Sequence, residues 1–387
     1  MRKLLGGEQM LNADQKNNDL VKKSISEFVR EILCDKSKKG NIAILVSVFS
    51  KFEGAGKAAE QHAKELSKEG YSISVLTFVS DIIPSENFKI SIIKPMIPLN
   101  NPFLNKIYRG LFLFNAIKVM MLTRKLKEFD LIILHHGTLA NLSYVVKKFY
   151  GTKVIFCNHH VIDPGFSPIL INLVMRTYQK LISRIHWKLI KKFDHVVSVS
   201  EFSRGELKKR VGLDSIVIHN TIDNKRFKET LDGKIVRDKY HIEKEPLILF
   251  VGRIIPYKGI HLLIDAFKMV TKKIPNAKLI IVGKHCDKIY SKKLMKMNDE
   301  QMIFFAENVS DEELPFYYAA SDVYATCSLF EGFNLPLIEA QACGKPVVAF
   351  DIGPHKEIVK RGFLVKEGDT KEFSDKLVEI LMRKVKT

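Results

Sequence analysis

The stretch PLILFVGRIIPYKGIHLLIDAF, residues 246–267, sets the fold class. It begins with an apolar run of strand length, passes through a loop bounded by Gly252 and Gly259, and continues with apolar residues at helical spacing. A buried strand, a glycine-containing turn and a covering helix form the repeating unit of a parallel α/β sheet. This segment therefore predicts a parallel sheet covered by helices.

The same pattern recurs along most of the 387 residues. Before the quoted stretch, the apolar runs are NIAILVSVF (41–49), SISVLTF (72–78), DLIILHH (130–136), TKVIFCNHH (152–160), HVVSVS (195–200) and SIVIHN (215–220). After it, they are AKLIIVG (277–283), QMIFFA (301–306), DVYATC (322–327), KPVVAF (345–350) and FLVK (363–366). We expect two Rossmann-like parallel-sheet domains, residues 41–228 and 229–387, facing one another across a cleft, with residues 1–40 as an N-terminal extension.

Composition narrows the class of protein. The chain is 46% hydrophobic and 27% charged, which is typical of a folded globular protein. Its five cysteines are scattered and show neither a CxxC pair nor a histidine cluster at zinc spacing, which favours a reducing compartment. The first residues lack the apolar segment of a secretory signal, so we expect a cytoplasmic protein.

The net charge of +19 is concentrated in the first domain. No acidic residue occurs within 87–127 or 164–193, and in IYRGLFLFNAIKVMMLTRKLK (107–127) the bases alternate with large apolar residues. This interleaving favours peripheral contact with an anionic membrane over nucleic-acid binding. The run from Gly110 to Thr123 is shorter than the roughly 20 residues that span a bilayer. The alternative is a buried crossover helix with solvated lysines at its rim.

The most informative segment for chemistry is LFEGFNLPLIEAQACGKPVVAF, residues 329–350. Pro336 and Gly344 are placed to begin and end a short helix, with Glu331 in the entering loop and Glu339 on the first turn. The backbone N–H groups at the start of such a helix favour a phosphate, and those in question belong to Phe333, Asn334 and Leu335. Carboxylates beside a phosphate are better suited to accept hydrogen bonds from hydroxyls. The segment therefore predicts a nucleotide-sugar site.

Two cations in the opening stretch complement that site. Arg253 and Lys258 follow a strand in a loop between two glycines, where they suit a diphosphate. Each charge-assisted contact contributes about 1.5–3 kcal/mol. The alternative is that both are solvated surface charges.

Taken together, these two segments resemble glycosyltransferase family 4, a retaining family with the GT-B fold. The joining segment HVVSVSEFSRGELKKRVGLDSIVIHNTIDNKRF (195–227) and the glycine-containing segment KFEGAGKAAEQHAKELSKEGYSISVLTF (51–78) are similar to those of the family as well. The resemblance covers about residues 41–380.

The resemblance implies roles for individual residues. Glu339 would hold the ribose hydroxyls and Glu331 the donor sugar, while Arg253 and Lys258 would bind the diphosphate and neutralise the leaving group. His159 matches the histidine near the transferred sugar, with His160 as the competing assignment. The implied donor-binding set is Gly54, Gly56, Gly252, Arg253, Lys258, Glu331, Gly332, Phe333, Asn334, Leu335 and Glu339; the implied catalytic set is His159, Glu331, Arg253 and Lys258.

The expected function is transfer of a hexose-type sugar, with retention, from a UDP- or GDP-linked donor to a glycan or a polyprenyl-phosphate-linked acceptor at a membrane. No Asp-x-Asp follows a predicted strand, so the sequence predicts no metal ion and no cofactor. The alternatives are a sugar phosphorylase or a nucleotide-sugar epimerase on the same scaffold, or a noncatalytic carbohydrate- or membrane-binding protein.

Overall fold

The computed structural model describes residues 23–33, 40–50, 53–94, 116–159, 173–298 and 302–385. Backbone contacts divide the chain into two compact units, with the division between Thr221 and Ile222. The division predicted after residue 228 lies in the irregular segment that follows. Each unit contains one large parallel sheet.

The first unit has a seven-stranded sheet in its described part. The strands of this unit are β1 (Asn41–Leu45), β2 (Val48–Phe49), β3 (Ser72–Thr77), β4 (Val79–Ser80), β5 (Lys89–Ile92), β6 (Leu131–Leu134), β7 (Lys153–Asn158), β8 (His195–Ser198) and β9 (Ile216–Val217). Its helices are α1 (Ile25–Leu33), α2 (Gly54–Lys68), α3 (Ala116–Leu126), α4 (Ala140–Tyr150), α5 (Leu173–Ile190) and α6 (Glu201–Val211). The strand order is β5-β3-β1-β6-β7-β8-β9, and β2 pairs with β4 separately.

The second unit repeats this architecture with a six-stranded sheet in its described part. Its strands are β10 (Leu247–Val251), β11 (Lys278–Val282), β12 (Ile303–Ala306), β13 (Val323–Thr326), β14 (Val347–Phe350) and β15 (Gly362–Val365). Its helices are α7 (Lys234–Lys239), α8 (Ile260–Thr271), α9 (Lys288–Lys296), α10 (Leu314–Ala320), α11 (Leu335–Ala342), α12 (His355–Ile358) and α13 (Thr370–Val385). The order β12-β11-β10-β13-β14-β15 reverses at β10, which places the loops after β10 and β13 at the point where ligands bind in such sheets.

Burial explains why the apolar runs form central strands. All five residues of β10 and all four of β6 are buried, as expected for strands covered by helices on both faces. In α8, the residues that face the core recur at spacings of three and four positions: Ile260, Leu263, Ile264, Phe267 and Val270. The predicted parallel α/β class is confirmed for both units.

One described part of the N-terminal extension belongs to the first unit's core. Helix α1 buries Ile25, Phe28, Val29 and Ile32 among side chains of the sheet and of α2. The sequence predicted only an N-terminal extension here, because α1 lies outside the repeating strand–helix pattern. The rest of the extension, except for 23, 24 and 40, lies outside the described residues.

Candidate active site

Two loops of the second unit pack together at the carboxyl ends of β10 and β13. Gly259 has a φ of 62°, and a Cβ atom added there would lie 1.9 Å from the carbonyl oxygen of Cys327, so only glycine fits. The amide of Leu329 donates to the carbonyl of Tyr257 at 2.8 Å. These backbone contacts hold the loop that carries Arg253 and Lys258 against the loop that carries Glu331.

Lys258 and Glu331 form an ion pair across these loops. The ammonium Nζ of Lys258 lies 2.5 Å from Oε1 of Glu331, and the two side chains are 15% and 9% exposed. At this burial the pair is poorly screened by solvent. Two residues that the sequence assigned to one site from separate motifs are therefore in direct contact.

Arg253 is oriented by a residue that the sequence analysis missed. Its guanidinium Nη2 donates to the hydroxyl of Tyr257 at 2.5 Å. Gly252, at the end of β10, donates its amide to the carbonyl of Val282 on the neighbouring strand at 2.9 Å. The end of β10 is therefore fixed, and the Arg253 guanidinium that follows it is held beside the Tyr257 phenol.

Helix α11 begins at Leu335, one residue before Pro336. Proline tolerates this position because the N–H it lacks would have no partner within the helix. Glu339 is the fifth residue of α11 and lies on its second turn; the sequence had placed it on the first. The helix ends at Ala342, and Gly344 follows with a φ of 74°.

Glu339 is buried and held by a tyrosine. Its Oε2 accepts a hydrogen bond from the hydroxyl of Tyr318 at 2.6 Å. Tyr318 in turn packs against Phe227 and Tyr324, with ring centroids 5.8 and 5.9 Å apart. Tyr318 was missed because it lies in α10, within an apolar stretch that looks like ordinary core.

Both carboxylates lie close to a second buried phenol. Burial, and then the negative charges of Glu331 and Glu339, raise the pKa of Tyr324 well above its usual value. Burial, followed by the charge of Glu339, has the same effect on the pKa of Tyr318. The second unit thus gathers both predicted glutamates, one paired cation and two neutral tyrosines beside the start of α11.

The turn before α11 is fixed by a histidine. Asn334 has a φ of 78°, and its side-chain Nδ2 lies 3.0 Å from Nε2 of His355. Nδ1 of His355 lies 2.7 Å from the carbonyl of Phe350, so it must donate there and Nε2 must accept from the amide. Burial lowers the pKa of His355, which keeps the ring neutral and able to accept.

The first-unit glycines differ in what they do. Helix α2 begins at Gly54, so both predicted loop glycines lie within its first turn. A Cβ atom on Gly56 would lie 2.6 Å from the backbone N and O of Ser50, whereas one on Gly54 would meet nothing within 4 Å. Gly56 is therefore required for packing within the first unit.

His159 follows β7 directly, at the carboxyl end of the sheet. Its Nε2 lies 2.9 Å from Nδ1 of His135, the residue that follows β6. The competing assignment, His160, lies outside the described residues. The Nδ1 atom of the neighbouring His136 lies 2.7 Å from the hydroxyl oxygen of Thr138.

Profiles of known protein families match both units of this chain. The family profile described as "Glycosyltransferase Family 4" matches residues 52–226, and the one described as "Glycosyl transferases group 1" matches residues 233–386. This chain belongs to the family 4 glycosyltransferases. The two matches cover both units, including all the predicted site residues.

Two relatives of this glycosyltransferase show the extent of the sequence similarity. It is 27% identical over 255 residues to the GDP-mannose-dependent alpha-(1-6)-phosphatidylinositol monomannoside mannosyltransferase of Mycolicibacterium smegmatis, covering 62% of this chain and 63% of that protein, which is less than two thirds of its length. It is 26% identical over 335 residues to an uncharacterized glycosyltransferase of Haemophilus influenzae, covering 82% and 84%.

Solved structures agree on the fold. Anabaena HepE, crystallised in complex with UDP-glucose, superposes with a TM-score of 0.71 at 22% identity, over 90% of this chain and 91% of that one. The fold of this glycosyltransferase is therefore of the GT-B class, as the resemblance implied.

Proposed function

We propose that this chain is a retaining, metal-independent glycosyltransferase that moves a hexose from a UDP- or GDP-linked donor to a glycan or polyprenyl-phosphate-linked acceptor. The nearly buried Lys258–Glu331 pair beside the start of α11 carries the proposal. An ion pair at the carboxyl ends of two strands, flanked by a second buried carboxylate, is suited to a ligand that bears both phosphates and hydroxyls.

The cations meet the phosphates in this proposal. Arg253 and Lys258 leave β10 on one loop, and the partial positive charge at the N-terminus of α11 lies beside the Glu331 loop. As the sugar–phosphate bond breaks, negative charge develops on the departing diphosphate. Fixed positive groups at that position stabilise the transition state without a divalent ion.

The carboxylates hold hydroxyls in this proposal. Glu339 accepts a hydrogen bond from Tyr318, and a carboxylate, which accepts several hydrogen bonds, would also accept from the two ribose hydroxyls. Glu331 is held by Lys258 and would accept from a hydroxyl of the donor sugar. The roles of Gly54 and Gly56, near the phosphates and the sugar, and of His159, near the transferred sugar, rest on the family resemblance.

The exposed surface of α3 supports the part of the proposal that concerns a lipid-linked acceptor at a membrane. Ile117, Met120 and Met121 are 63%, 61% and 54% exposed, and their spacing puts them on one face. Lys118, Arg124 and Lys125 lie on the same helix. In the described residues no helix is long and apolar enough to cross a bilayer. A basic helix with an exposed apolar face suits peripheral docking where a lipid-linked acceptor is presented.

Donor and mechanism are tested together by measuring release of UDP, GDP or ADP from a panel of sugar nucleotides, with EDTA present throughout. We expect one donor to dominate and its anomeric configuration to be retained in the product, as read by NMR. Loss of transfer in EDTA with recovery on adding Mg²⁺ or Mn²⁺ would contradict metal independence. Use of inorganic phosphate as acceptor would indicate a phosphorylase, and product formation without acceptor an epimerase.

Membrane docking predicts that the protein floats with liposomes containing anionic lipid. Three bases at about 1 kcal/mol each give about a 100-fold preference over neutral vesicles. The double substitution Met120→Glu/Met121→Glu should abolish flotation, because it places charge on the apolar face. Met295→Glu, at a 50% exposed methionine of α9, is the matched control and should float normally. Equal recovery with neutral and anionic vesicles would refute the docking proposal.

A further inference from the structure

Three metal-ligating side chains converge in the interior of the first unit. His62 comes from α2, His135 follows β6, and Cys157 lies on β7. One ligand atom from each lies within 4.8 Å of the others, and all three residues are buried. Residue spacing does not reveal this cluster, because its members belong to three separate elements, whereas zinc motifs are recognised by short spacings.

In the described part of the chain, two ring nitrogens of this cluster lack hydrogen-bond partners. Nδ1 of His62 and Nε2 of His135 are buried without a hydrogen-bond partner, and Cys157 is a free thiol. Buried polar atoms nearly always have partners, and leaving one without costs about 1–3 kcal/mol. Two such nitrogens beside a thiol suit a shared ligand that accepts lone pairs.

A histidine contact outside the cluster gives His135 the right form to bind a cation. Nδ1 of His135 lies 2.9 Å from Nε2 of His159. If His135 donates its Nδ1 proton there, its Nε2 carries a lone pair. Metal-bound histidines typically donate their other ring N–H in this way, which fixes the tautomer and the ring orientation. His159 is thus placed as the outer partner of His135.

We propose that His62, His135 and Cys157 bind one zinc ion that fastens α2 to β6 and β7. Two imidazoles and a thiolate are donors that Zn²⁺ prefers, and small side-chain rotations bring ligand atoms from within 4.8 Å to the about 3.5 Å separation of a tetrahedral site. Binding releases the Cys157 proton to solvent and forms a zinc–thiolate bond. The fourth position is left for a water molecule.

Burial shifts the pKa values of all three side chains toward their neutral forms. It lowers the pKa of His62 to about 4 and the pKa of His135 well below its usual value. Burial raises the pKa of the Cys157 thiol to about 12, and a bound cation reverses that effect.

This zinc is separate from any metal that would assist the leaving diphosphate. Its ligands all belong to the first unit, whereas Arg253, Lys258 and both glutamates belong to the second. The ion would act as a positioning element, because it joins the helix that starts at Gly54 to His135 and, through that ring, to His159. The two kinds of metal dependence are therefore distinguishable.

Zinc content of the full chain tests the proposal. Protein without an affinity tag is incubated with excess Zn²⁺, freed of unbound ion by gel filtration, and analysed by elemental mass spectrometry. We expect about one ion per chain, and at least a tenfold loss in Cys157→Ala and in His62→Ala. Cys327→Ala, which removes a buried thiol of the second unit, is the control and should keep its zinc. Equal zinc in wild type and Cys157→Ala would overturn the proposal.

Cobalt replacement gives a test that needs no variant. Wild-type protein loaded with Co²⁺ should show the near-ultraviolet charge-transfer absorption of a cobalt–thiolate bond, and Zn²⁺ should raise the Tm of the first unit by about 5 °C. Absence of the thiolate band from folded wild-type protein overturns the proposal even if Cys157→Ala fails to fold. Removal of this zinc should lower Tm, and Zn²⁺ should restore it, whereas loss of a donor-site metal would stop transfer, and Mg²⁺ or Mn²⁺ would restore it.

Discussion

Lys258→Ala is expected to lower kcat/KM for sugar transfer by about 1000-fold, the scale of removing a group aimed at charge that develops in the transition state. Its ammonium is held by Glu331 at 2.5 Å and is only 15% exposed. The cation is therefore fixed by a protein partner and largely desolvated. Little reorganisation is needed when the diphosphate departs, which is why one side chain can have so large an effect.

The same substitution affects folding, and the two effects must be separated. Without Lys258, the 9% exposed carboxylate of Glu331 loses its ion-pair partner, at a cost of about 3 kcal/mol in the free energy of unfolding, the low end for a buried pair. The double variant Lys258→Ala/Glu331→Gln removes the unpaired charge, so we expect it to regain most of that stability while transfer stays low. Lys292→Ala, at an exposed lysine of α9, controls for loss of positive charge alone.

Steady-state kinetics with the identified donor, together with urea unfolding of the same preparations, give the required readouts. A folded Lys258→Ala protein that keeps kcat/KM within about threefold of wild type would show that Lys258 does not meet the leaving group. Rescue of both stability and transfer in the double variant would assign the whole effect to folding.

The parts of the site that the sequence predicted are those with local signals. Glu331, Pro336 and Gly344 lie in one short segment whose turn chemistry specifies a loop and a helix, and the structure has both. The strands were predicted because buried parallel strands are continuous apolar runs. Short edge elements such as β4 and β5 gave no such signal, since their residues are largely exposed or half-buried.

The partners of the site residues could not be predicted in the same way. Tyr318 lies among apolar residues of α10, and only its hydroxyl, 2.6 Å from Glu339, distinguishes it from core. His355 is fully buried on a short helix, and its contact with Asn334 depends on how α12 packs. Both contacts arise from tertiary packing, which sequence spacing does not encode. Helix α1 was assigned to the N-terminal extension for the same reason, since its apolar face has meaning only once the sheet is present.

Glu339→Ala is expected to raise the KM for the donor by about 10- to 100-fold with kcat little changed, because hydrogen bonds to a charged group contribute about 1.5–3 kcal/mol each. Glu339 would bind ribose hydroxyls, which keep the same charge in the ground state and the transition state. A contact of this kind strengthens both states equally. Glu331→Ala should instead lower kcat, since Glu331 contacts Lys258 and, in our proposal, binds a hydroxyl of the sugar that is transferred.

Tyr318→Phe separates the position of the Glu339 carboxylate from its presence. It keeps the aromatic packing against Phe227 and Tyr324 but removes the hydrogen bond that orients Glu339. We expect donor KM to rise only about 3- to 10-fold, a loss of about 1 kcal/mol, with kcat unchanged, because the Glu339 carboxylate is still present but is no longer held by the phenol. Tyr290→Phe, which removes another buried phenol of the second unit, is the matched control and should leave donor KM unaltered.

The kinetic pattern across these variants decides which carboxylate serves which hydroxyls. If Glu339→Ala lowered kcat while Glu331→Ala raised donor KM, the two assignments would be exchanged: the helix residue would face the sugar and the loop residue the ribose. Tyr318→Phe would then also lower kcat, because the phenol acts only through that carboxylate. A change in KM for Tyr318→Phe alongside a change in kcat for Glu339→Ala fits neither arrangement, and would mean that Tyr318 contacts the donor itself.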